Sequence, residues 1–228
     1  MKVRRLHPWD VTPREAVKIQ RSLREKLRLN ENLLSGRIRY VGGADISYTR
    51  GDDRFFAAVV ILEWPSLRTV EEATHFEKVR FPYIPGLLSF REGPPLIRAF
   101  EKLNRAPDVV LFDGQGIAHP RGLGLASHMG LLLSVASVGC AKTKLVGEHD
   151  EVGEATGDYA ELFLEGRAVG AVVRTKERVK PIYVSQGHRV GFLQSIRLAL
   201  SCCRGYRIPE PVRQAHLLVN RMRRLSSC

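Results

Sequence analysis

Acid is the scarce charge in this chain of 228 residues: 24 Asp and Glu face 36 Lys and Arg, for a formal net charge of +12. That imbalance makes a polyanion the favoured partner, nucleic acid ahead of an anionic membrane surface. The shortage is deepest in the last forty residues, where Glu210 is the sole acid among Arg189, Arg197, Arg204, Arg207, Arg213, Arg221, Arg223 and Arg224. Long charge-free apolar runs are also missing. The first thirty residues carry Lys2, Arg4, Arg5, Asp10, Arg14, Glu15 and Lys18, which excludes a visible secretory signal. The most apolar stretch, 122–141, holds His128 and several Gly and Ser, and reads as a buried helix running into a strand, not as a membrane span. Cysteine is sparse: Cys140, Cys202, Cys203 and Cys228 show no C-x-x-C spacing, and adjacent Cys202 and Cys203 read as packed thiols, which points to a reducing, cytoplasmic setting. No internal repeat or low-complexity segment breaks the chain, and a hydrophobic content of 44% excludes global disorder. One domain over 1–228 is expected, monomeric by default.

What is present is an ordered alternation of elements. Thr12-Pro13-Arg14-Glu15 marks a helix start, and Ala16, Ile19, Leu23 and Leu27 continue at helical spacing, so the first helix is expected over about 13–34 and the core over about 38–228. Three antiparallel strands follow at 39–48, 55–62 and 68–79, then a helix at 96–103, a strand at 108–112, a helix at 126–133 and a strand at 137–142. Residues 148–158 are acidic and loop-like. A hairpin from 170–174 and 181–185 and two closing helices, 189–203 and 211–225, complete the series. This order predicts an α/β fold, a ribonuclease H-like central mixed sheet with helices on both faces.

Three acids stand out in that layout. Asp45 shares a face of the first strand with Val41, Gly43 and Ser47, and Asp113 ends the fourth strand, at the carboxyl edge where open α/β sheets place their sites. With the first and fourth strands adjacent, Asp45 and Asp113 approach each other and Glu92 arrives from the intervening helix. Singly, each acid reads as a solvated or paired strand end. Together they repel one another unless a cation intervenes, and hard oxygen ligands select Mg²⁺ or Mn²⁺. On a basic protein that combination implies phosphodiester chemistry. Just before Glu92, prolines at 82 and 85 stiffen a loop that holds Tyr83 on a rigid arm, and Gly86 follows.

Phe81-Pro82-Tyr83-Ile84-Pro85-Gly86-Leu87-Leu88-Ser89-Phe90-Arg91-Glu92, Gly43-Ala44-Asp45-Ile46-Ser47-Tyr48 and Asp113-Gly114-Gln115-Gly116-Ile117-Ala118-His119-Pro120-Arg121-Gly122 together resemble the endonuclease V family of deoxyinosine 3′ endonucleases. The resemblance implies a Mg²⁺-dependent repair nuclease that nicks the second phosphodiester bond 3′ of a deaminated adenine. It implies Asp45, Glu92 and Asp113 as catalytic carboxylates and metal ligands, with His216 completing the site. His216 lies at the margin of a buried stripe formed by Ala215, Leu218, Val219 and Met222, so a histidine bonded between helices is the simpler reading of the spacing alone. Tyr83 would fill the gap left by an extruded base, His119 and Lys142 would flank the scissile phosphate, and backbone near Gly86, Leu88 and Gly116 would read the flipped base. Two other readings keep the fold: an endonuclease acting on inosine in RNA, and a nucleic-acid-binding module that does not cleave. No membrane partner is expected.

If the C-terminal arginines hold phosphates, affinity for a DNA duplex falls steeply with salt, by at least about tenfold between 50 and 200 mM, in a filter-binding titration. A flat salt dependence would remove phosphate contacts from these residues.

Overall fold

Thr12 starts the first helix, α1 (Pro13–Arg24): its hydroxyl accepts the Glu15 N–H at 3.3 Å, and the Glu15 carboxylate accepts the Thr12 N–H at 2.7 Å. The computed structural model describes residues 1–31, 38–49 and 51–226. After α1 come β1 (Tyr40–Tyr48), β2 (Arg54–Glu63), β3 (Arg68–Lys78), α2 (Leu88–Glu101), β4 (Val109–Phe112), α3 (Leu125–Leu133) and β5 (Ala136–Ala141). Then follow β6 (Tyr159–Leu164), β7 (Arg167–Val173), β8 (Ile182–His188), α4 (Phe192–Ser201) and α5 (Glu210–Leu225).

The strands form one sheet in the order β3-β2-β1-β4-β5-β8-β7-β6. β1 lies antiparallel to β2 and parallel to β4, and β4 lies parallel to β5. This is the ribonuclease H-like arrangement expected from the order of elements. Alternation assigns the two faces. Val41 and Leu111 point towards α4 and α5, where they meet Ile196, Val212, Ala215 and Val219. Ala44, Val110 and Phe112 point the other way, against Leu96 and Phe100 of α2 and Met129 and Leu132 of α3.

Four elements differ from the sequence expectation. α1 ends at Arg24, well short of residue 34; position 34 itself lies outside the described residues. The reason is tertiary: the Arg28 carbonyl accepts the Arg189 N–H at 2.6 Å and the Leu29 carbonyl accepts Gln186 Nε2 at 2.6 Å, so this backbone is paired to the end of β8 and cannot close helical bonds. α2 begins at Leu88, eight residues before its expected start, and carries Pro94 and Pro95 in its interior. The prolines delete two N–H donors, yet packing of Leu96, Ile97 and Phe100 holds the helix across them. β6 was not anticipated; its signal is the two-residue turn Glu165-Gly166, both at positive φ (50° and 73°), which suits a tight hairpin into β7. α4 begins at Phe192, not at residue 189, because Arg189 sits at positive φ (53°).

The approach of α5 to β1 depends on Gly43. A Cβ there would run into the Pro211 carbonyl at the start of α5. Glycine therefore sets how near α5 comes to the strand that carries Asp45. Gly43→Ala is expected to cost about 1–3 kcal/mol, read as a lowered denaturant midpoint, because neither backbone can yield without repacking. An unchanged midpoint would show that α5 tolerates displacement.

Candidate active site

Asp45 lies near the end of β1, and the Asp113 N–H extends the parallel ladder by donating to the Ala44 carbonyl at 3.3 Å, which sets the two acids side by side. Asp45 Oδ1 accepts the Ile46 N–H at 2.8 Å, and Oδ2 accepts the His216 Nδ1–H at 2.7 Å from α5. His216 is half exposed, with 49% of its side chain open, so it forms the rim of the site. Asn220, one turn further on α5, places Nδ2 3.2 Å from His216 Nε2 and accepts Ser47 Oγ–H at its Oδ1, 3.0 Å away. These bonds tie the histidine to β1 from two directions. Lys142, just beyond the end of β5, forms an ion pair with Asp113.

Among the described residues, Asp45, Asp113 and His216 each offer a ligand atom, and these atoms all lie within 4.8 Å of one another. Glu92 comes from α2 and is only 8% exposed. Burial, and then the charges of Asp45 and Asp113, push its carboxyl up to about 8. Burial and the Asp45 charge likewise raise Asp113, against the downward pull of Lys142. With all three ionised, the carboxylates would carry more negative charge than Lys142 and the nearby Arg91 offset, and the upward shifts of Glu92 and Asp113 express that excess. The arrangement therefore fits a divalent cation, and its donor set of carboxylate oxygens and one imidazole suits a hard metal.

A cavity of about 120 Å³ opens beside this cluster, bordered by Tyr83, Gly86, Leu88, Ser89, Gln115 and Leu125 among others. The chain links it to the acids at two points: Ser89 precedes Glu92 by one helical turn, and Gln115 follows Asp113 by two residues. Tyr83 is 63% exposed at the rim. Gly86 and Leu88 border this cavity. Gly116 does not: its N–H donates to Ser185 Oγ at 2.8 Å, and a Cβ on it would meet the backbone of Gln186, so its glycine serves the packing of this loop on β8. His119 lines the same cavity. It is 3% exposed, Nδ1 accepts the Arg121 N–H at 3.1 Å, and Nε2 donates to the Gly86 carbonyl at 2.9 Å, so both ring nitrogens face protein and neither faces an open phosphate site.

With this geometry in view, the sequence profile of endonuclease V matches residues 21–217. The chain belongs to the endonuclease V family. The endonuclease V of Dehalococcoides mccartyi is 46% identical over 217 residues, 95% of this chain and 96% of that one. A crystal structure of endonuclease V from Streptomyces avermitilis superposes with a TM-score of 0.90 at 37% identity, covering 100% of both chains. Endonuclease V of Ciona intestinalis, solved in complex with a 24mer DNA containing an inosine followed by a ribo-adenosine, gives a TM-score of 0.83 at 28% identity over 92% of this chain and 97% of that one.

Several residues of this endonuclease V site escaped the sequence reading. Asn220 sits four residues after His216, the spacing that puts two side chains on one helical face. The Arg91 guanidinium lies 4.8 Å from the centre of the Phe55 ring, 5.3 Å from Tyr48 and 5.8 Å from Tyr83, bridging the arm to the sheet. Gln20 and Arg121 approach the same loop from α1 and from the segment after β4.

The raised Glu92 carboxyl makes the metal-free protein pH-sensitive. A carboxyl held above its unfolded value of about 4.5 contributes stability that is complete below that pH and is lost as pH rises through about 8. In EDTA, Glu92→Gln is therefore expected to gain in melting temperature over the unaltered protein progressively between pH 5 and pH 8. A constant difference across that range would mean Glu92 is not strained by its neighbours.

Proposed function

We propose that this endonuclease V is a Mg²⁺-dependent DNA repair enzyme that nicks the strand at the second phosphodiester bond 3′ of deoxyinosine, leaving 3′-hydroxyl and 5′-phosphate ends. The observation that carries this reading is the convergence of Asp45, Asp113 and His216, backed by Glu92, beside a cavity that the Tyr83 loop borders. The Ciona relative's complex with inosine-containing DNA supports the substrate class. Asp45, Asp113 and Glu92 would hold Mg²⁺ or Mn²⁺. When bound, such a cation polarises a phosphoryl oxygen, lowers the pKa of a coordinated water and stabilises the departing oxygen.

The chain's own groups do the rest. Asp45 fixes His216 through Nδ1, which makes Nε2 the ring's acceptor; Asn220 Nδ2, 3.2 Å away, would yield it to a water that the ring orients or deprotonates. Lys142 offsets charge on Asp113 and offers a cation at the edge where a phosphate would lie. Tyr83, exposed and held between two prolines, would occupy the space of an extruded base, which a weakly paired inosine yields at low cost. Gly86 and Leu88 border the cavity, and their N–H groups would read the carbonyl edge of hypoxanthine, since the Gly86 carbonyl is held by protein donors.

An end-labelled duplex bearing one deoxyinosine, incubated with Mg²⁺, is expected to yield one nick, one nucleotide beyond the lesion's own 3′ linkage. EDTA abolishes the nick and Asp113→Ala lowers its rate by at least about a thousandfold. An intact duplex with the unaltered protein would refute the DNA assignment. A second reading, cleavage of inosine-containing RNA, draws on the ribo-adenosine that follows inosine in the Ciona complex. The matched RNA oligomer separates the two, since a nuclease that tracks backbone tells the sugars apart only near the 2′-hydroxyl. Binding without a nick on either oligomer would favour a non-cleaving module.

A further inference from the structure

The segment that carries Tyr83 has an unusual anchor. Ile84-Pro85-Gly86-Leu87 forms a turn in which the Leu87 N–H donates to the Ile84 carbonyl at 2.9 Å, with proline second and glycine third at φ 78°, the pattern of a type II turn. Pro82 and Pro85 donate no hydrogen bonds, so the arm is attached chiefly through its acceptors and its apolar side chains. Phe81 and Ile84 pack with Ala16, Leu87 and Phe90. One helical turn beyond Ala16, Gln20 faces the same loop.

Three side chains from separate parts of the sequence meet on one atom, the Gly86 carbonyl oxygen. Gln20 Nε2 donates to it at 2.9 Å, His119 Nε2 at 2.9 Å and Arg121 Nη2 at 2.5 Å. The donors are themselves interlocked. Arg121 Nε donates to Gln20 Oε1 at 2.5 Å, the Arg121 N–H donates to His119 Nδ1 at 3.1 Å, and Gln20 Nε2 also reaches the Leu123 carbonyl at 3.2 Å. The acceptor at Nδ1 fixes the proton of His119 on Nε2, so every bond in the network has a defined direction. Gln20 is only 1% exposed. A buried polar network is costly unless complete, and when complete it rigidifies what it holds.

We propose that Gln20, His119 and Arg121 are positioning residues that brace the tyrosine arm through the Gly86 carbonyl, so that Tyr83 can displace a paired base without being displaced itself. This rests on the nuclease reading above and adds a role for three residues outside the acidic cluster. A wedge acts only if its mount is stiffer than the base stack it opens. Between Tyr83 and the braced carbonyl lie Ile84 and Pro85, with Pro82 immediately before Tyr83, so movement at Gly86 passes to the ring with little loss. The brace matters where a base must be unpaired and much less where the strand is already single.

The test uses Gln20→Leu and Arg121→Met in the full chain, with two readouts. Amide hydrogen exchange in the free protein is expected to quicken at Gly86 and Leu87 by about tenfold or more, with the protection of β1 and β4 unchanged. Cleavage of a deoxyinosine duplex is expected to fall by about tenfold in kcat/KM, at least about fivefold more than cleavage of the single-stranded oligomer falls. Tyr83→Ala should show the same preferential loss, and the Gln20→Leu/Tyr83→Ala double variant no further loss than either alone. Unchanged exchange at Gly86 and Leu87, equal losses on both substrates, or additive losses in the double variant would each overturn the proposal. If the unaltered protein cuts neither oligomer, the nuclease reading fails, and hydrogen exchange alone still upholds or overturns the brace.

Discussion

Electrostatic repulsion among Asp45, Glu92 and Asp113 is the constraint that shapes this molecule. Each acid reaches the centre on a different element, β1, α2 and the end of β4, and each is largely removed from water. No element would collect them for its own stability, since bringing carboxylates together in a poorly solvated place raises the free energy of their charged forms. The sheet tolerates the cluster because the surrounding apolar packing is extensive. Phe55, Phe90, Phe100 and Phe112 are fully buried, and both faces of the central strands are covered. Stability is supplied by the framework and drawn down at the site, where it leaves a place for a cation.

The framework and the arm meet the cluster in different ways. α5 arrives through close backbone contact at Gly43 and delivers His216. The tyrosine loop arrives through hydrogen bonds on a single carbonyl, with apolar support from α1. The first attachment is steric and fixes distance; the second is directional and fixes orientation. Under the proposed function, His216 would use the former to stay within reach of a water, and Tyr83 the latter to press against a base.

Much of this was legible in the sequence. The order of elements, the adjacency of the first and fourth strands and the convergence of Asp45 with Asp113 follow from continuous apolar runs at 55–62 and 109–112 and from acids at strand ends. Asp113 and Lys142 were readable as strand-end residues, and they pair in space. What escaped depends on contacts distant in sequence. The stop of α1 comes from pairing of 28–29 with the end of β8, which no local pattern encodes. Pro94 and Pro95 argue against a helix locally, and burial of their neighbours overrides them. Gln20 occupies a buried position one turn after Ala16, and a polar side chain in an apolar stripe was the available sign that something across the fold needed it. The family resemblance placed His119 beside the scissile phosphate; its bond to the Gly86 carbonyl is a tertiary fact.

The distribution of the site along the chain also governs when it can exist. Asp45, Glu92 and Asp113 belong to elements in the first half, whereas His216 and the helix that covers the Asp45 face of the sheet come only at 210–225. During synthesis the acids are laid down long before the histidine, and β1 exposes Gly43 and Val41 until α5 is released to cover them. A chain still growing therefore has its carboxylates without the histidine that bonds Asp45, and the group that could hold a metal is complete only once the last helix is in place.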